Sequence, residues 1–320
     1  MDILPVDDEN INKFRFVFGP APSRRLGFSL GLDLVPPKTC TLDCLYCEVG
    51  PTTVRTIERF DMNIADDVLA ELEAYLGSPH PALDFITLAG SGEPTLNAEI
   101  ACIIAGIKDI TPVKVCVLTN GTLLFDAEVR RDLLGADLVI PSLDAVFPET
   151  FRNLNRPHPA MDIETVVRGL SEFRDEFSGL FWLEILLVRG INDSEEELAG
   201  LRKAAEMIRP DKIQINTVYR PPADKSAQPL NEGELDRIKK FFGSKTQVAG
   251  GFEKKRPEKT RGGTREEILQ LVGRRPCGVK ELASALGLPR EEVRTIVQKL
   301  RSDGMILQEV HADDIFFRRV

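Results

Sequence analysis

Hydrophobic residues in this chain follow two alternating rhythms. Short continuous apolar runs alternate with segments in which apolar residues recur every three or four positions. The first kind predicts buried strands and the second amphipathic helices. Strands are expected at 28–34, 84–89, 113–118, 137–140, 181–188 and 212–218. Helices are expected at 63–76, 97–107, 127–134, 163–177, 194–208 and 232–242, the fifth opened by a capping box of Ser194 and Glu197. Six strand–helix units predict a parallel sheet covered by helices. Six are too few for a closed eight-stranded barrel, so the expected architecture is α/β, an open, partial (βα)6 TIM-like barrel. Each strand runs into polar, Gly- or Pro-containing residues, and in such folds those loops build the active site. Ahead of the first strand stand an apolar run at 14–18 and a turn-rich basic loop at 19–27.

The pattern changes after residue 249. Residues 250–263 are glycine-rich and charged, and predict a linker. Helices at 264–271, 279–286 and 290–303 then precede two short strands, at 305–307 and 315–317. That order predicts a small winged helix-turn-helix domain over 264–320, beside a barrel domain over 1–249.

Charge adds to this division. The net charge of −9 argues against sequence-independent nucleic-acid binding by the whole chain. Residues 253–320, however, carry 15 Lys/Arg against 11 Asp/Glu, while the rest carries 26 against 39. The two parts therefore suit different partners. Arg290, Arg294, Lys299 and Arg301 on the third helix, with Arg318 and Arg319 beyond the wing, offer phosphate contacts, so nucleic acid is an expected partner of the winged helix. The acidic start (Asp2, Asp7, Asp8, Glu9) suits neither a secretory nor a transit peptide, and no long apolar run is present. A cytoplasmic protein with no membrane role is expected.

In a reducing compartment, clustered cysteines point to metal binding or catalysis. Cys40, Cys44 and Cys47 fall within eight residues. Soft thiolates select zinc, Cu(I) or iron–sulfur clusters. Structural zinc needs a fourth close ligand. The next cysteine is Cys102, and the only histidines are His80, His158 and His311. An iron–sulfur cube on three thiolates instead leaves one iron open to a substrate or cosubstrate. Cys102, Cys116 and Cys277 are scattered and form no second cluster. Arg24, Arg25, Arg189, Asn192 and Arg220 lie at strand ends or in loops. They suit a phosphate- or carboxylate-bearing substrate or, equally, a solvated rim. Glu184 sits inside an apolar strand and needs a partner, either a ligand or a buried salt bridge. Residues 155–158 form a lid or a surface turn.

With Tyr46 just before the last cysteine, and Gly90-Ser91-Gly92-Glu93-Pro94 at the end of the second strand, the chain resembles the radical SAM superfamily. The resemblance implies a 4Fe–4S cluster on Cys40, Cys44 and Cys47, its open iron chelated by S-adenosylmethionine (SAM). One electron into the cluster then cleaves SAM and yields a 5′-deoxyadenosyl radical that abstracts hydrogen from a substrate. It also implies SAM contacts from Tyr46, Gly90, Gly92, Glu93, Asn120, Ser142 and Asp144, and an external electron donor, a ferredoxin or flavodoxin. The stretch 18–47 resembles the wyosine-synthase-like iron–sulfur oxidoreductases, which implies tRNA modification. Three functions are therefore weighed: modification of RNA or another phosphate-bearing molecule, modification of a peptide held by the winged helix, and a DNA-binding iron–sulfur or SAM sensor without turnover.

Overall fold

The computed structural model describes residues 14–23, 25–249 and 265–320. The predicted linker and Arg24 lie outside the described residues. Eight strands form one sheet in chain order: β1 (Val17–Ser23), β2 (Gly27–Leu32), β3 (Phe85–Leu88), β4 (Lys114–Thr119), β5 (Leu138–Pro141), β6 (Leu180–Leu187), β7 (Lys212–Thr217) and β8 (Thr246–Val248). The strands from β2 to β8 are mutually parallel, and β1 pairs antiparallel with β2. The first and last strands each have one neighbour, so the sheet stays open. The crossovers hold α1 (Ala65–Leu76), α2 (Ile100–Ile110), α3 (Ala127–Leu133), α4 (Pro148–Leu154), α5 (Ile163–Glu176), α6 (Glu195–Ile208) and α7 (Glu232–Phe242).

Four local expectations change. The basic loop expected at 19–27 is strand as far as Ser23. Its prolines, Pro20 and Pro22, sit on an edge strand, where a missing N–H costs little. The three-residue β8 is too short to show a period. Helix α4 opens with Pro148 at its first turn, inside a predicted loop. Ser194 Oγ does accept the Glu197 N–H at 3.1 Å. The Glu197 carboxylate turns instead to the Val146 N–H at 2.7 Å, so only half of that capping box forms. A complete one, Asn231 with Glu234, opens α7.

Alternation along the strands divides the side chains between two faces. Ile86, Leu88, Val115, Val117, Leu183, Ile185, Ile213 and Ile215 join the helices in the main core. Each such side chain contributes about 1.5–3 kcal/mol by burial. The opposite face carries Ser29, Gly31, Thr87, Glu184 and Asn216, which line a cavity. Leu26, from the β1–β2 turn, packs with Cys116, Leu138 and Ile140 beside Phe85 and Trp182. That plug closes the end where the strands begin, so the cavity opens towards their C-terminal ends.

The C-terminal module comprises α8 (Arg265–Arg274), β9 (Cys277–Gly278), α9 (Val279–Leu286), α10 (Arg290–Ser302), β10 (Ile306–His311) and β11 (Asp314–Arg319). Its strands form a separate sheet, and Ile268, Leu282, Val293, Val297, Leu300 and Phe317 form a core of their own. Helices α8 and α9 rest on β1, and His311 Nε2 lies 2.9 Å from the Val218 carbonyl oxygen. Among the described residues no helix is long and apolar enough to cross a membrane.

Candidate active site

The cysteine loop begins in a two-residue ribbon in which Thr39 and Cys40 pair with Val54 and Arg55. The end of α4 pins its middle: the Leu45 N–H donates to Leu154 O at 2.9 Å and the Asp43 N–H to Asn155 O at 3.0 Å. Cys40, Cys44 and Cys47 all line the cavity, whose volume is about 380 Å³, within the ordinary range for small-molecule sites. Burial, with the Glu93 charge adding to it, pushes the Cys40 thiol up to about 12. Burial also raises Cys44 and Cys47. Alone, such thiols keep their protons and are inert; a coordinated cation reverses that.

Two side-chain amides reach the sulfurs. Asn120 Nδ2 stands 3.4 Å from Cys40 Sγ and 2.8 Å from Thr41 Oγ1. Its Oδ1 accepts from the Thr122 N–H at 3.0 Å and the Thr122 hydroxyl at 2.7 Å. Asn155 Nδ2 stands 3.4 Å from Cys44 Sγ. Asn155 is buried, not part of an exposed lid or turn. Nothing local in the sequence announces this contact, which joins positions 111 apart.

The glycine loop interlocks with the cysteine loop. The Glu93 N–H donates to Thr39 O at 3.0 Å and the Lys38 N–H to Ser91 O at 2.6 Å. A Cβ on Gly92 would fall 2.2 Å from Thr39 O, and one on Gly90 would fall 2.3 Å from Asp33 Cγ. Glycine is required at both places by close packing. The Glu93 carboxylate binds the chain itself: it accepts from the Thr95 N–H (3.1 Å), the Thr95 hydroxyl (2.6 Å), the Thr119 hydroxyl (2.6 Å) and the Asn120 N–H (2.8 Å). It ties the loops after β3 and β4 together.

Asp144 is likewise a hub. Its carboxylate accepts from the Tyr46 hydroxyl, from Asn155 Nδ2 at 3.2 Å and from the Leu186 N–H at 2.8 Å. Burial pushes Asp144 up to about 6, against those donors and with the Glu184 charge. Burial and the Asp144 charge raise the Tyr46 phenol well above its usual range. Ser142 lines the cavity, and its N–H donates to Thr119 O at 3.1 Å.

The expected basic residues divide. Arg25 enters from the β1–β2 turn and pairs with Glu184, whose Oε1 also accepts from Asn216 Nδ2 at 2.8 Å. Arg25 therefore forms part of the floor, not the mouth, and supplies the partner that Glu184 needed. Arg220 lines the cavity but is buried, bonded to Glu48 at 2.6 Å and Glu281 at 2.8 Å. Arg189 lies outside the cavity and forks onto both oxygens of Glu234, at 2.7 Å each. Asn192 is fully buried; it donates to Asp144 O at 2.7 Å and Leu186 O at 2.8 Å, and accepts from the Val188 N–H at 2.7 Å. Both are braces: Arg189 ties the loop after β6 to Pro229 and Glu234, and Asn192 ties it to Asp144 and Leu186. Sequence reasoning missed Arg274 and Arg275, which bring the end of α8 to the cavity wall. All six cysteines are free.

The sequence profile of the radical SAM superfamily matches residues 34–201, more than half of the chain. The chain belongs to the radical SAM superfamily. It is an enzyme of that kind, and membership implies SAM and an iron–sulfur cluster. It is 32% identical over 268 residues to a UPF0026 protein of Helicobacter pylori strain J99, covering 83% of this chain and 86% of that one. It is 38% identical over 302 residues to the "GTPase Obg" of Brachyspira hyodysenteriae, covering 93% of this chain but 44% of that protein. The chain thus spans less than half the length of this relative. The fold is similar to that of a radical SAM methyltransferase from Sphaerobacter thermophilus, with a TM-score of 0.53 at 18% identity, over 69% of this chain and 65% of that one.

Proposed function

We propose that this chain is a radical SAM enzyme in which Cys40, Cys44 and Cys47 hold a 4Fe–4S cluster and the loops after β3, β4 and β5 seat SAM. The observation that carries this reading is convergence. Three thiols, the Gly90–Glu93 backbone, Asn120 and Ser142 meet in one cavity, although they come from four separate loops. The donor set fits the group: buried thiols crowded by Glu93, Glu48 and Asp43 call for a compensating positive charge.

When bound, the cluster supplies the electron for reductive cleavage of SAM and so the radical chemistry. The chain's own residues hold and shield. Asn120 and Asn155 donate to the ligand sulfurs, as outer-shell partners of metal ligands do. The glycines let the backbone approach the cofactor. Tyr46, fixed by Asp144, walls one side. The closed floor excludes water.

In this reading the sheet is a partial (βα)6 barrel, and the module after the linker is a winged helix, its β10–β11 hairpin forming the wing. Electrons come from an external ferredoxin or flavodoxin. Cys47 is shared between the inner cavity and an outer groove of about 990 Å³ that also carries Lys38, Lys225 and Arg319. The chain works in the reducing cytoplasm. The substrate is a compact polar molecule or a single residue of RNA rather than a polyanionic strand in the cavity. Arg25, Arg220, Arg274 and Arg275 all have carboxylate partners, which speaks against a free basic ring. Nucleic acid would instead meet α10, whose Arg290 and Lys299 are exposed and form no ion pair among the described residues.

Anaerobic reconstitution tests the reading. The reduced wild-type chain should bind iron and sulfide and release 5′-deoxyadenosine from SAM, and Cys40→Ala should do neither. Wild-type protein that binds iron yet leaves SAM intact would sink it.

A further inference from the structure

Two chains of ion pairs, each with at least one buried member, leave the C-terminal module, and each ends on one of the loops assigned above to the cofactors. The first starts at Glu281 on α9. Its Oε1 accepts from Arg275 at 2.7 Å and from Arg220 at 2.8 Å. Arg220 passes on to Glu48 Oε2 at 2.6 Å, and Glu48 directly follows Cys47. The Arg220 and Glu281 side chains are each 4% exposed. The second starts at Arg274, the last residue of α8, whose guanidinium bonds Asp33. Asp33 accepts from the Ser91 N–H at 3.1 Å and from the Ser91 hydroxyl at 2.6 Å. Ser91 stands between Gly90 and Gly92.

These pairs are poor candidates for simple adhesion. Buried ion pairs are costly to desolvate and often add little net stability. Here Arg220 Nε and Glu281 Oε2 are left without partners as well. What such a network does well is fix one arrangement of its members. The two chains cross 61 and 241 positions of sequence, and each ends where a cofactor loop must be held still.

We infer that the C-terminal module is a working part of the cofactor site: Glu281 and Arg220 position the cysteine loop, and Arg274 positions the glycine loop through Asp33. This rests on the proposed assignment of those loops to the cluster and to SAM. The three are positioning residues, acting through Glu48 and Asp33.

The test uses the full chain, reconstituted anaerobically, as wild type, Arg274→Gln, Glu281→Gln, Arg274→Lys and Glu281→Asp. Far-UV circular dichroism checks folding. SAM affinity is read by equilibrium dialysis, and cluster retention by the rate of iron loss to a chelator. Arg274→Gln is expected to hold wild-type iron yet bind SAM roughly tenfold more weakly. Glu281→Gln is expected to lose iron roughly tenfold faster. The Lys and Asp variants, which keep the charge, should recover part of each loss. Should a glutamine variant fail to fold, its charge-keeping counterpart carries the comparison. A wild-type chain that binds iron and SAM beside folded variants that match it overturns this inference alone. A wild-type chain that binds neither overturns the proposed function and this inference with it.

Discussion

The Asn155 amide stands 3.4 Å from the Cys44 sulfur, with a hydrogen pointed at a group that is to carry negative charge. Hydrogen bonds to ligand sulfur favour the reduced cluster and raise its potential. Replacing Asn155 with Leu should therefore lower the potential. One bond of about 1 kcal/mol corresponds to roughly 40 mV for a one-electron couple. A redox titration followed by electron paramagnetic resonance reads the shift, and an unchanged potential would deny Asn155 this role.

Gly92 has no room for a side chain, since a Cβ there would meet a backbone carbonyl oxygen 2.2 Å away. Backbone yields less readily than a flexible side chain. Gly92→Ala should separate the glycine and cysteine loops and weaken SAM binding at least about tenfold, the loss expected when a ligand's supporting shell moves. The outcome against the idea is an alanine variant that binds SAM like wild type.

Asp144 should leave a signature in stability. Burial raises its folded value from 3.8 to about 6. Below pH 3.8 both states hold the proton. Between pH 3.8 and 6 the unfolded chain releases it first, so stability falls as pH rises through that window and is level above it. The fall is at most roughly 3 kcal/mol. Urea titrations of the cluster-free chain at several pH values should show it, and Asp144→Asn should flatten it. Parallel curves for the two proteins would refute the shift.

The Arg25–Glu184 pair sits in the floor with side chains 18% and 11% exposed. Glu184→Ala strands the Arg25 charge and should cost about 3 kcal/mol. The double change Arg25→Leu with Glu184→Leu should cost less than the two single changes together. A double-mutant cycle in urea measures the difference, and simple additivity would mean that the pair is uncoupled.

The regular part of the fold was legible in the sequence because it rests on local periodicity. Ile86, Val115, Val139 and Ile185 lie on strands whose apolar runs mark them, and Cys40, Cys44 and Cys47 announce themselves by spacing. What escaped lies beyond local pattern. Strand β1 is rich in Pro and Gly and resembles a loop, and β8 is too short to have a period. Asn155, Arg274 and Arg275 reach the cavity by tertiary packing that no window of sequence contains. The arginines misled for a related reason: a cation's role depends on its partner, and Glu234 is 45 positions from Arg189, while Glu48 and Glu281 are 172 and 61 positions from Arg220.

The plug of Leu26 at the base of the sheet has a kinetic corollary. Leu26 is buried against Cys116, Leu138 and Ile140, so the way to the Arg25–Glu184 floor leads in from the C-terminal ends of the strands. Leu26→Ala should open a second way in from below, read as faster quenching of Trp182 fluorescence by acrylamide.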